Sequence, residues 1–77
     1  MAIKNPRDEK VIANFGSNVR KYRTEKGYTM MQLAVFCDVE YGAISTIERG
    51  VVNCSISTAH RLAKALEVPI EKLFEFL

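Results

Sequence analysis

Tryptophan is absent from these 77 residues, and cysteine, histidine and proline number only two, one and two. Each scarcity excludes something. The two cysteines, Cys37 and Cys54, lie far apart with no Cys-x-x-Cys pair, and His60 is the sole histidine, so no metal site is expected. Two isolated thiols do not make a disulfide framework, which suits a reducing compartment, and a cytoplasmic location is expected. No apolar run approaches the roughly 18 residues of a membrane span. The opening MAIKNPRDEK is charged where a leader would be apolar, so neither a membrane segment nor a signal peptide is expected. The polar–apolar alternation of strands is missing throughout, which leaves helices as the building material. His60 has no Ser or Cys nucleophile motif and no carboxylate pair near it, so an enzyme is not expected. A chain this short buries only about 60% of its unfolded surface, which leaves little room for a shielded cofactor cleft, and no cofactor is expected.

What is present is enough for one core. Hydrophobic residues make up 48% of the chain, whose net charge is a mild +2. The charge is unevenly distributed. Residues 1–26 carry Lys4, Arg7, Lys10, Arg20, Lys21, Arg23 and Lys26 against Asp8, Glu9 and Glu25, a net of +4. Residues 27–50 carry Arg49 against Asp38, Glu40 and Glu48, a net of −2. A basic first helix offers a phosphate-facing surface.

Five short helices are predicted, in an all-α single domain. Residues 1–7, with Asn5-Pro6, read as an N-terminal arm. Asp8 caps a first helix whose Ile12, Phe15, Val19 and Tyr22 share one face, and Gly27 ends it in the left-handed region. Thr29 and Gln32 fit a capping box at the start of a second helix that buries Leu33, Ala34 and Cys37. After Asp38-Val39-Glu40 a third helix begins near Tyr41, buries Ile44 and Ile47, and stops at Gly50. Ser55 caps a fourth, with Ile56, Ala59, Leu62, Ala63 and Leu66 expected to face inward. Pro69 breaks the chain before a short fifth helix, placed at about 70–76 within IEKLFEFL.

Two short helices joined by about three residues are the signature of a helix-turn-helix, here over about residues 30–49. Ala34 supplies the small residue where the second helix of the pair crosses the first. Val39 tucks under the turn, and Ile44 and Ile47 seal the inner face of the second helix. The stretch Phe15–Phe74 resembles the phage-repressor and Cro-like (XRE-type) family, whose fold is that of the lambda-repressor DNA-binding domain and which includes restriction–modification controllers and many antitoxins. The residues that carry the resemblance are Arg23, Tyr28-Thr29, Leu33-Ala34, Val39, Ile44-Ser45, Ile47-Glu48-Arg49-Gly50, Asn53, Leu62-Ala63, Ala65-Leu66 and Leu73-Phe74. Departures are Met30 where the family has Gln, Asp38 for the turn Gly, Glu40 for the Ser or Thr cap, and Cys54 for Pro.

The resemblance implies a sequence-specific regulator that binds double-stranded DNA. Tyr41, Gly42, Ala43 and Thr46 are then the candidates for base contact in the major groove, Gly42 and Ala43 by permitting close approach. The backbone amides of Met30 and Met31, with Arg49, Asn53 and Arg20, are the candidates for phosphate contact. Arg23 and Glu48 are expected to form a structural ion pair. The C-terminal segment holds more apolar surface than its own core can take, so Ile70, Phe74, Phe76 and Leu77 are expected at a homodimer interface; the plainer alternative is that Phe76 and Leu77 fold back near Phe15. Cys37 and Cys54 read as small core or edge residues. A restriction–modification controller or phage-type repressor fits best. The alternative is an antitoxin that holds a toxin protein and regulates its own operon.

Overall fold

Asp8 accepts a hydrogen bond from the Val11 amide through its side chain and so starts the first helix of the computed structural model, which describes residues 4–76. This helix, α1, covers Glu9–Glu25 and ends where Gly27 adopts a φ of 74°, a conformation without steric penalty only for glycine. It is followed by α2 (Met30–Cys37), α3 (Tyr41–Glu48), α4 (Ile56–Leu66) and a closing 3-10 turn over Ile70–Phe74. Among the described residues there is no strand. The chain is all-α, with four α-helices and the 3-10 turn in place of a fifth.

The core forms where the inner stripes of the four helices meet. Val19, Leu33, Ile44, Leu62, Leu66 and Leu73 are fully buried at its centre. Each large aliphatic side chain removed from water in this way is worth about 1.5–3 kcal/mol. Phe15, Ala34, Cys37, Ile47, Ala59 and Ala63 complete the cluster.

Two expectations need correction. Ile56, placed inward from the spacing of α4, is 87% exposed. It is the first residue after the Ser55 cap, and its side chain stands at the open edge of a groove that Val11, Phe15 and Phe74 also line. The C-terminal segment is shorter and tighter than an α-helix over 70–76. It makes five residues of 3-10 helix, and from Glu75 (φ −67°, ψ 134°) the chain is extended. Leu77 lies outside the described residues.

Two α1 residues absent from the apolar reading hold this arrangement together. Gly16 is buried, and a Cβ there would overlap the Ile47 carbonyl oxygen and meet the Glu48 carbonyl oxygen at 3.0 Å. Both neighbours are backbone, so α1 rests directly on the end of α3 and only glycine permits it. Asn18 is 1% exposed, and its Nδ2 donates to the carbonyls of Leu73 (3.0 Å) and Glu75 (2.6 Å). Nδ2 of Asn14 also donates to the Glu75 carbonyl, at 2.7 Å. These amides tie the C-terminal segment to α1 and satisfy carbonyls that have no strand or helix partner.

Glycine in a helix interior is normally about 1 kcal/mol worse than alanine, so Gly→Ala usually stabilises. For Gly16→Ala the sign reverses: overpacking against fixed backbone lowers stability by about 1–3 kcal/mol. Thermal denaturation of the purified variant should show a lower Tm than the parent. An equal or higher Tm would mean that the α1–α3 contact is looser than described.

Candidate nucleic-acid interface

The α2–α3 pair is built from its caps inward. Thr29 Oγ1 accepts from the Gln32 amide at 3.0 Å while Gln32 Oε1 accepts from the Thr29 amide at 2.9 Å, a reciprocal box that fixes the start of α2. The amides of Met30 and Met31 precede the first intrahelical hydrogen bond and so point out along the helix axis. Met30 packs its side chain against the core, whereas Met31 is 57% exposed. At the other end Asp38 takes the left-handed conformation (φ 55°), and the Val39 amide turns back to the Ala34 carbonyl at 3.0 Å. Asp38 thus fills the role of a turn glycine, and the chain is redirected within three residues. Val39 packs on the core beneath the turn. Glu40 precedes α3 without a side-chain cap.

Ile44 and Ile47 bury the inner face of α3, which leaves the other face to solvent. Tyr41, Gly42 and Arg49 are exposed there, and Ala43 and Thr46 are half-buried beside them. Thr46 Oγ1 lies 2.9 Å from the Gly42 carbonyl and 3.1 Å from that of Ala43, so its proton is held by the helix backbone. What Thr46 offers outward is therefore an acceptor oxygen and a methyl group. Gly42 differs from the other glycines. Its φ is not left-handed, and a Cβ there would meet nothing within 4 Å. Nothing inside the fold requires glycine at this point.

The candidate phosphate contacts are more scattered. Arg49 closes α3, Arg20 is exposed on α1, and Asn53 is exposed in the loop between α3 and α4. Nδ2 of Asn53 donates to the Pro6 carbonyl at 3.4 Å, and Nη2 of Arg7 donates to the Val51 carbonyl at 3.3 Å. The stretch before α1 therefore lies along the loop that carries Asn53, a proximity between residues more than forty positions apart that periodicity cannot reveal. Of the basic residues on and just after α1, Lys26, its C-cap, is tied to Glu67 at 2.7 Å and Lys21 lies 5.2 Å over the Tyr22 ring. The Lys26 ammonium holds the Glu67 carboxyl below its ordinary range, and the Arg7 guanidinium does the same for Glu9.

Arg23 and Glu48 meet in a fork: Nε lies 2.6 Å from Oε2 and Nη2 lies 3.1 Å from Oε1, while Nη1 donates to the Tyr28 carbonyl at 2.8 Å. Their side chains are 13% and 6% exposed. The pair joins the end of α1, the entry to α2 and the end of α3. Burial pushes both the Cys37 and Cys54 thiols up, which favours their protonated form. Among the described residues no group of His, Cys, Asp and Glu is arranged to hold a metal. Among the described residues no helix is long and apolar enough to cross a membrane.

Of the expected interface residues at the C-terminus, Ile70, Phe74 and Phe76 are 38%, 45% and 71% exposed. Phe74 also packs inward, its ring centroid 5.1 Å from that of Phe15, so it is Phe74 and not Phe76 that folds back on α1. Residues missed by the apolar reading are Gly16, Asn14 and Asn18. For Asn18 there was a signal: it stands three residues after Phe15 on the buried stripe of α1, the one polar residue at an inward position.

Removing Glu48 leaves the Arg23 guanidinium largely buried without its carboxylate. Glu48→Ala should cost about 3 kcal/mol, the lower end for breaking a buried pair, because Arg23 keeps the Tyr28 carbonyl. Chemical denaturation measures it. An unchanged midpoint would place the pair among exposed bridges of little worth.

The comparisons with known proteins agree with this geometry. A helix-turn-helix family model matches residues 19–73. The chain is 38% identical over 63 residues to control protein C.BamHI of Bacillus amyloliquefaciens, covering 80% of this chain and 78% of that protein. It superposes on the crystal structure of the restriction-modification controller protein C.AhdI from Aeromonas hydrophila with a TM-score of 0.79 at 32% identity, over 82% of this chain and 96% of that one. The structure of SinR, a master regulator for biofilm formation, in complex with DNA matches with a TM-score of 0.75 at 32% identity, over 79% and 98% of the two chains. The chain spans 40% to 78% of the length of the curated relatives it matches. On these grounds the chain belongs to the helix-turn-helix family, in its Cro- and phage-repressor-like branch.

Proposed function

We propose that this protein is a sequence-specific regulator that binds an inverted-repeat operator as a homodimer, with one α3 in the major groove of each half-site. The observation that carries this reading is the two-faced α3: its inner side is sealed by Ile44 and Ile47 while Tyr41, Gly42 and Arg49 stand free on the outside. Tyr41 offers its ring and hydroxyl to base edges, and Thr46 an acceptor and a methyl. Gly42 and Ala43 let the helix backbone come close to the groove floor. The outward amides of Met30 and Met31 hold a phosphate, and Arg49, Asn53 and Arg20 add backbone contacts that set register without reading sequence. Two half-sites are needed because one eight-residue helix reads only a few base pairs. The exposed Ile70, Phe74 and Phe76 supply the surface that pairs two copies, and Leu77 is assigned to it with them.

Similarity to C.BamHI and to C.AhdI, over 78% and 96% of their lengths, favours a restriction–modification controller working in the cytoplasm. The antitoxin alternative differs in its partner: an antitoxin would bind a toxin encoded beside it, which the adjacent reading frame and a binding assay distinguish.

Selection from random duplexes should enrich an inverted repeat, with affinity falling steeply as salt rises. Enrichment of no motif would overturn the specific-regulator reading. Tyr41→Ala should alter base preference by about 1–3 kcal/mol at one position per half-site, whereas Asn53→Ala should weaken binding to all sequences alike. The same preference profile in Tyr41→Ala and the parent would refute the register of α3 on DNA.

Gly42→Ala separates folding from binding. It should stabilise the free protein by up to about 1 kcal/mol, since the added methyl group meets open space. In the same variant, operator affinity should fall. Unchanged affinity would show that the DNA does not approach α3 at this residue.

A further inference from the structure

We propose that Thr46 reads the operator as a hydrogen-bond acceptor only, so that the base edge opposite it carries an exocyclic amine, that of adenine or cytosine, and not a keto oxygen. The inference rests on the specific-regulator reading above and deepens it by naming the chemistry of the base at one position of each half-site.

The placement comes from α3 itself. Ile44 and Ile47 are buried, and the opposite side of the helix is the row Gly42, Thr46 and Arg49, at steps of four and three residues. Along this row the side chains change in kind: none at Gly42, a hydroxyl and a methyl group at Thr46, a guanidinium at Arg49. A helical side chain leans over the turn N-terminal to its own Cα, so Thr46 covers the ground that Gly42 leaves bare. Two observations agree with that. Thr46 Oγ1 sits 2.9 Å from the Gly42 carbonyl, and a Cβ at Gly42 would meet nothing within 4 Å. A base edge that approaches the backbone at Gly42 therefore finds Oγ1 beside it.

The polarity of that oxygen follows from its neighbours. A hydroxyl has one proton and two lone pairs. The two carbonyls within reach of Oγ1, those of Gly42 (2.9 Å) and Ala43 (3.1 Å), can only receive that proton. The proton is thus committed to the helix, and the lone pairs remain for the DNA. To donate outward, the hydroxyl would have to turn its proton away from both carbonyls, and a keto oxygen on the base would regain only what was lost.

In the major groove the amino groups of adenine and cytosine donate, whereas guanine O6 and thymine O4 accept. An amine opposite Oγ1 gains a hydrogen bond. A keto oxygen there loses its water and meets lone pairs instead. The choice made is therefore adenine or cytosine over guanine or thymine on the strand that faces Thr46. Arg49, one turn further on, carries only donors, so the row is not a uniform acceptor surface. The methyl group of Thr46 does not distinguish amine from keto oxygen, so substitution can separate the two halves of the side chain.

Thr46→Val keeps the branched shape and removes the acceptor, whereas Thr46→Ser keeps the hydroxyl with its helix bond and removes the methyl group. Selection from random duplexes is run on the unmodified protein and on both variants. In the duplex enriched by the unmodified protein, the amine at the affected position is then taken out of the major groove, by 2-aminopurine in place of adenine or 2-pyrimidinone in place of cytosine, and affinities are compared. The expected result is one position per half-site whose preference for adenine or cytosine on one strand falls about three- to tenfold in Thr46→Val and persists in Thr46→Ser. The unmodified protein should lose a similar factor with the base analogue, and Thr46→Val should lose no more. Equal thermal melts show that neither substitution acts through folding, and the analogue comparison on the unmodified protein needs no substitution at all. An unchanged preference in Thr46→Val would overturn the acceptor role while the enriched motif leaves the specific-regulator reading standing. Indifference of the unmodified protein to loss of the amine would do the same. Selection that enriches no motif would overturn the specific-regulator reading itself, and this inference with it.

Discussion

Arg23 donates from three nitrogens to two places that lie far apart in the chain, the Glu48 carboxylate and the Tyr28 carbonyl. Through that fork the last turn of α1 is joined to the entry of α2 and to the end of α3. The geometry is bidentate, which specifies orientation as well as distance. Beside it, Gly16 lets α1 rest on the carbonyls of Ile47 and Glu48. The end of α3 is therefore gripped twice, once through the Glu48 side chain and once through its backbone. The angle at which α3 leaves the body is held at this junction as well as at the short turn that precedes it.

The surface divides by chemistry. One face carries the outward side of α3 and the free amides of α2, polar or small where it would meet a nucleic acid. Another carries Val52, Ile56 and Phe74 around an apolar groove whose described lining holds no charged residue. A third stretch is also apolar: Met31, Val35 and Phe36 are exposed on α2, with Phe36 edge-on to Tyr28 at 5.0 Å. In so small a domain such exposure follows partly from geometry, since there is too little interior to bury every apolar side chain.

Polar groups do structural work where the core is thin. Asn18 stands inside the apolar stripe of α1, and its amide satisfies two carbonyls of the C-terminal segment. That segment, five residues of 3-10 helix followed by extended chain, is anchored by Leu73 in the core and by Phe74 against Phe15, and the amides fix the backbone beyond them. Among the described residues no buried side-chain nitrogen or oxygen lacks a partner. The fold thus avoids the penalty of unsatisfied buried groups, about 1–3 kcal/mol each, which a domain of this size could not carry more than once or twice.

Local order was legible in the residues themselves. Asp8, Thr29 with Gln32, and Ser55 mark helix starts because a side-chain oxygen must accept a first-turn amide. Gly27, Asp38 and Gly50 mark stops because the chain there turns left-handed. The spacing of Leu33, Ala34, Ile44 and Ile47 then implied the two-helix motif and the outward face of α3. What the sequence did not determine depends on contacts between distant segments. Ile56 has the spacing of a core residue, yet at the first position of α4 it stays in solvent, because the neighbouring elements do not close over it. Gly16 reads as an ordinary helical residue until the end of α3 arrives beside it. The turn at Ile70–Phe74 is tight rather than α-helical, and the chain beyond it is held by the Asn14 and Asn18 amides. Periodicity says which side of an element is apolar. Only the packing of elements against one another decides which of those sides find cover, and which remain exposed.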